Sequence, residues 1–232
     1  MYSSTLDHRP ADRPPEHEYP PVGWLLAGAL TAAFGVGGLY LLFVRDPLGR
    51  RVDTAAMDAV MDRSAGLGAR ADQILATVSI STVCVGTVLA VLVAVLRRRP
   101  LAAALAVGTV LAANVLAELL KLALIRPVGS NSLPSGHVTA VASVFAALLL
   151  VVAPGWRPLV WLAGIAGVGA VAVSVVVAGW HRPSDVLAAL LLVAGIAALA
   201  AAVGRRFAGR AGESPGNAWS GRSDQQGLFS TR

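Results

Sequence analysis

Six apolar runs alternate with short polar segments along the chain. They cover about Val22 to Val44, Gln73 to Leu96, Leu101 to Leu120, Val138 to Ala153, Leu159 to Trp180 and Val186 to Val203. Most approach or exceed the roughly 20 apolar residues that a helix needs to cross a bilayer. The fourth and sixth are shorter and can gain length from the residues at their starts. The pattern predicts an all-α polytopic membrane protein, a bundle of six transmembrane helices.

The connections refine this picture. The polar loop from Arg45 to Asp72 carries Met57, Val60 and Met61 at helical spacing, which predicts a short interfacial helix. Arg97-Arg98-Arg99-Pro100 stops the second run, Pro154-Gly155-Trp156-Arg157-Pro158 makes a tight turn, and Arg205-Arg206 ends the sixth run. Residues 1–21 are polar and rich in proline (Pro10, Pro14, Pro15, Pro20, Pro21) and cannot bury enough apolar surface to fold. The Gly/Ser/Arg-rich tail, residues 205–232, is of the same kind. The predicted organisation is a disordered segment over 1–21, a membrane domain over 22–204 and a disordered tail over 205–232. The first apolar run is too long for a typical signal-peptide core and is read as a span.

Composition supports the membrane class: 56% of residues are hydrophobic and 14% charged. The net charge of +6 reflects arginines flanking the spans. No basic run is interleaved with aromatics, so nucleic acid is not an expected partner. The lone cysteine, Cys84, lies in an apolar run and reads as a small hydrophobe. With the N-terminus inside, the inside segments hold more Lys and Arg than the outside ones, although the first loop is itself Arg-rich. The bias places both termini in the cytoplasm of a multi-pass cell-membrane protein.

Two polar segments then stand out: Asn131-Ser132-Leu133-Pro134-Ser135-Gly136-His137 and Trp180-His181-Arg182-Pro183-Ser184-Asp185. An even number of spans separates them, so they share a face, the extracytoplasmic one in this orientation. Each opens a helix, and helix N-termini present unpaired N–H groups and partial positive charge to anions. Ser135 suits an N-cap, Gly136 lets backbone approach an anion, and His137 falls in the first turn. Pro183 suits the first helical position, and Asp185 then falls in the first turn, four residues after His181. A His–Asp pair fixes the imidazole tautomer and makes His181 a candidate nucleophile. Lys121, Arg126 and Arg182 supply cations suited to phosphate oxygens. Glu118, three residues before Lys121, is expected to pair with it, and Asn114 to extend that polar stripe. Singly, each of these residues is an ordinary headgroup anchor or solvated group; together they point to phosphate chemistry.

At these residues the chain resembles the type 2 phosphatidic acid phosphatase (PAP2) superfamily of membrane lipid phosphatases, which shares its site with vanadium haloperoxidases. Pro134-Ser135-Gly136-His137 matches the central motif, and Ser174, His181 and Asp185 match the last motif in spacing. The resemblance spans about residues 22–204. It implies that His181 attacks phosphorus to form a phosphohistidine, that Asp185 orients it, and that His137 protonates the leaving lipid alcohol and then activates water. It also implies that Lys121, Ser135 and Gly136 hold the phosphate, with no metal or other cofactor. Two departures stand out. Lys121 is followed by four residues before Arg126-Pro127 where the family has six, which puts Val128 and Gly129 in register. Ser174 is followed by Val175 where the family has arginine. Arg126 and Arg182 are the expected substitutes.

The expected function is hydrolysis of a lipid phosphate or diphosphate. Phosphatidate, phosphatidylglycerol phosphate, polyprenyl diphosphate and polyprenyl-phosphosugar are all candidates, and the oligomeric state is open. A lipid or sugar phosphotransferase and a non-catalytic binder of anionic lipids are the alternatives. A transporter lacks support, because no repeated broken helices are visible.

Overall fold

The structure, a computed structural model, describes residues 21–124 and 133–212, and no strand occurs among them. The calls on Arg126, Val128, Gly129, Asn131 and Ser132, and most of both terminal segments, lie outside the described residues.

Helix α1 covers Val22–Tyr40 and passes through a π-helical turn, Leu41–Arg45, into a sharp corner. Asp46 makes the corner: its Oδ2 accepts the Gly49 N–H at 2.7 Å, and Pro47 takes the first position of α2, Pro47–Arg63. Arg50 Nη1 donates to the carbonyls of Val44 and Arg45, satisfying acceptors at the end of the preceding helix. The expected loop with a short interfacial helix is therefore a 17-residue helix followed by a second, α3, Gly68–Ala76.

The second apolar run is not one straight span. It breaks at Thr77–Ser79 between α3 and α4, Ile80–Leu96, with a 54° bend. The cause is local. Ser79 and Thr82 form a reciprocal capping box, and Thr77 Oγ1 donates to the Ile74 carbonyl at 2.7 Å. These hydroxyls compete with the continuous helical ladder.

Helices α5 (Pro100–Ala123), α6 (Gly136–Val151), α7 (Arg157–Val177) and α8 (Pro183–Gly212) complete the bundle. Four stretches, Val22–Arg45, Pro100–Ala123, Pro154–Val177 and Pro183–Phe207, are long and apolar enough to cross a membrane, and the bent α3–α4 pair is a fifth. Helix α6 is shorter, 16 residues, or about 24 Å at 1.5 Å per residue. Helix α8 runs through Arg205 and Arg206 to Gly212, past the expected start of the tail. Arginine is a good helix former and suits a helix C-terminus.

The interior is built from small residues. Ala90, Ala94, Ala106, Ala113, Ala147, Ala188 and Ala189 are fully buried, while Trp24, Phe34, Ile80 and Leu122 point outward. Small contact residues let helix backbones approach closely, the usual means of packing where lipid removes the hydrophobic drive between helices. Below the two polar segments lies a cluster of Leu75, Val138, Val171, Val175, Val176, Val186 and Ala189, drawn from α3, α6, α7 and α8.

The turn from α7 to α8 depends on Gly179, whose φ of +70° lies in the left-handed region. A Cβ there would sit 2.9 Å from Met61 Cε of α2. Gly179→Ala is expected to cost about 1–2 kcal/mol from backbone handedness alone. Unfolding of the detergent-solubilised protein should show that loss. Met61→Ala in the same chain should relieve only the steric part.

Candidate active site

The two polar segments meet. The Ser135 N–H donates to the Asp185 carbonyl at 3.0 Å, so the residue preceding α6 is fastened to the first turn of α8. The Ser135 carbonyl accepts both the N–H and the Oγ1 of Thr139, at 3.0 and 2.8 Å. The backbone of Ser135 is thus fully engaged, and Leu133 beside it is buried against Val44 and Ala188.

The Ser135 side chain is different. Its hydroxyl is completely buried and has no hydrogen-bond partner. The expected N-cap bond is not formed: α6 has no side-chain cap. Among the described residues no hydrogen bond reaches the amides of Gly136, His137 or Val138. Lys121 stands over this helix start. A Cβ on Gly136 would lie 3.2 Å from Lys121 Nζ, so only glycine gives the ammonium this approach without displacing it. Glu118 holds Lys121 at 2.7 Å, as its spacing predicts. One turn earlier on α5, Asn114 Nδ2 bonds Ser143 Oγ of α6 at 3.2 Å, extending the polar stripe.

The start of α8 is arranged in the opposite way. Its Ncap amide, that of Arg182, donates to Asp185 Oδ2 at 3.0 Å. The Ser184 N–H and Oγ donate to the two carboxylate oxygens of Asp53 on α2, at 3.1 and 2.6 Å. The amides of Asp185 and Val186 bond the Arg182 carbonyl. Of the two helix starts read as anion sites, that of α8 has the amides of Arg182 and Ser184 bonded to carboxylates. Protein carboxylates already occupy the α8 terminus, where they complement the helix dipole.

His181 stands between the two. Its amide and that of Trp180 both donate to the Val175 carbonyl, at 3.1 and 2.9 Å, which curls the chain back over the end of α7. His181 Nδ1 lies 3.6 Å from Asp185 Oδ2, an ion-pair contact longer than a hydrogen bond, and it is buried without a hydrogen-bond partner. Asp185 is completely buried. The His137 ring meets the Trp180 ring edge-on at 5.3 Å, which places it beside the residue before His181.

The remaining candidates are placed as follows. Arg182 turns toward α2, where its Nε donates to Thr54 Oγ1 at 3.2 Å. There it lines a groove of about 470 Å³ with Arg50, Arg51 and Asp58. Val175, at the family's arginine position, is fully buried in the apolar cluster, and Ser174 is also buried. The sequence reading missed Asp53. A signal was present: Asp53 lies four residues before Met57 and seven before Val60, a carboxylate on the apolar face of its helix.

The PAP2 superfamily model matches residues 73–208. Among solved structures, the crystal structure of the first transmembrane PAP2 type phosphatidylglycerolphosphate phosphatase from Bacillus subtilis shares the fold, with a TM-score of 0.65 and 19% identity. The match covers 77% of this chain and 96% of that one. No curated protein matches the chain. With more than half its length matched by the family model, and its two motif segments joined at one site, the chain belongs to the PAP2 superfamily.

Proposed function

We propose that this protein is an integral membrane phosphatase that hydrolyses a lipid phosphate or diphosphate through a phosphohistidine on His181. The observation that carries the reading is the start of α6. There, amides that no described residue caps, the buried Ser135 hydroxyl and Lys121 converge beside His137 and the His181–Asp185 pair. A buried hydroxyl without a partner costs about 1–3 kcal/mol, and a phosphate oxygen is the acceptor that would recover it.

In this mechanism the α6 amides, Ser135 Oγ and Lys121 Nζ bind the phosphoryl oxygens. Asp185 faces Nδ1 of His181, which leaves Nε2 as the attacking atom. The Nε2 lone pair forms the N–P bond as the bond from phosphorus to the lipid oxygen breaks. Protonated His137 gives its proton to that oxygen, releasing the lipid alcohol, or a lipid monophosphate from a diphosphate. Neutral His137 then takes a proton from water, whose oxygen attacks phosphorus. The N–P bond breaks, inorganic phosphate leaves, and both histidines return to their starting states. Charge on the equatorial oxygens is met by fixed dipoles and cations, so no step uses a metal. Arg126 is assigned as a further phosphate ligand in place of the arginines absent at Val128 and Val175, and Arg182 takes the same role on leaving its bond to Thr54. Six helices cross the membrane, α6 among them, with both termini cytoplasmic and the site facing outward. The neighbour of shared fold acts on phosphatidylglycerolphosphate, which makes a glycerophospholipid monoester the first substrate to try.

Three measurements test this. Across a panel of lipid phosphates and diphosphates in detergent with EDTA, the wild type should release phosphate and His181→Ala should not. Loss of wild-type turnover in EDTA would overturn the metal-free mechanism, and silence across the panel without chelator would overturn the phosphatase reading. Ser135→Ala should lower turnover about 10–100-fold, because a hydrogen bond to a charged group is worth about 1.5–3 kcal/mol. Its unfolding midpoint should be unchanged or higher, since the substitution removes a buried hydroxyl that has no partner. Arg126→Ala combined with Arg182→Ala should abolish phosphate release; unchanged turnover would remove both from the site.

A further inference from the structure

The carboxylate of Asp53 is 3% exposed and reaches from α2 into the first turn of α8. It accepts two hydrogen bonds from one residue, Ser184 N–H at 3.1 Å and Ser184 Oγ at 2.6 Å. Ser184 directly precedes Asp185. The next residue of α2, Thr54, accepts a bond from Arg182 Nε at 3.2 Å, and Arg182 directly follows His181. One turn of α2 therefore grips two of the three residues between His181 and Asp185, Arg182 and Ser184. At its far end Met61 packs on Gly179, the turn residue just before Trp180. Helix α2 lies outside residues 73–208, the part of the chain that the family model matches.

From this arrangement we infer that Asp53 is a positioning residue for the phosphoryl-transfer pair. Its carboxylate caps the α8 N-terminus from a neighbouring helix and fixes the turn that sets Asp185 against His181. The inference rests on the reading of His181 as nucleophile. Two physical points support it. First, a carboxylate at this depth is retained only where strong donors meet it, and here both donors belong to the site segment. Burial pushes the Asp53 carboxyl above its ordinary range, while the Ser184 bonds and Arg182 pull it back and Asp185 adds to the rise. Second, the 3.6 Å separation of His181 and Asp185 leaves little latitude. A misplacement on the order of 1 Å costs about 100-fold in rate.

The test compares Asp53→Ala, Asp53→Asn and Ser184→Ala in the full-length protein in detergent. Each is scored by kcat and KM per folded molecule and by the NMR shifts of the His181 ring in histidine-labelled protein, which report its surroundings. Loosening Asp185 should move those ring shifts. Asp53→Ala should lower kcat about 10–100-fold with little change in KM. Asp53→Asn, whose amide can still pair with both Ser184 atoms, should lose markedly less, and Ser184→Ala should fall between.

If Asp53 merely docks α2, Asp53→Ala would reduce the folded fraction and leave kcat per folded molecule and the His181 ring shifts at wild-type values. That result overturns the inference. If Asp53→Ala does not fold, Ser184→Ala decides: unmoved ring shifts and wild-type kcat overturn the inference. A wild type that releases no phosphate counts against the proposed function instead. In that case the His181 ring shifts still decide the positioning role, because they need no turnover.

Discussion

A single backbone hydrogen bond, from the Ser135 N–H to the Asp185 carbonyl, joins two segments that are distant in the chain and sets the start of α6 against the start of α8. The rest of the site takes its register from that bond. It uses the one donor that Ser135 has on its backbone, while Thr139 takes the carbonyl, so the hydroxyl alone is left without a partner. In surroundings of low dielectric such a bond is strong and its loss is costly, which is why two loops at the edge of an apolar bundle hold one arrangement.

The two helix starts then divide the chemistry. Helix α8 receives carboxylates from Asp185 and Asp53, which take the amides of Arg182 and Ser184 and place negative charge beside His181. Helix α6 receives no side-chain cap from Ser135, and Lys121 leans over its glycine. In the proposed reaction, one terminus complements a cationic imidazole and the other the phosphoryl group, whose charge develops between them. Dipoles already oriented by the fold need no reorganisation to meet it.

The scaffold keeps this polar arrangement in place with few polar resources. Alanine contacts bring α4, α5 and α6 together, and Arg97 reaches the Val151 carbonyl at the other end of α6. The large apolar side chains are spent on the outer surface, where lipid rather than protein surrounds them. A bundle packed this way can hold a short helix such as α6 with its N-terminus turned to the site, because Lys121 beside it lies on the longer α5 and Trp180 on the turn that follows α7.

Hydropathy periodicity was enough to predict an all-helical membrane bundle, because crossing hydrocarbon forces the backbone to satisfy itself and helices do so locally. Spacing alone also paired Glu118 with Lys121 and put Pro183 and Asp185 in the first turn of α8, since these relations lie within one helical turn. The break at Thr77–Ser79 was harder to read, because weak hydroxyl competition is hidden inside an apolar run. The two-helix structure of the first loop was seen only in part, through the spacing of its methionines. What tertiary structure alone decided is the partnership of distant groups. Asp53 reaches Ser184, Val175 is sealed into the core, and the amides of Arg182 and Ser184 at the start of α8 go to carboxylates. Local sequence sets which backbone groups a helix start exposes; which of them a neighbouring helix fills depends on how the helices pack, and that is a property of the whole bundle.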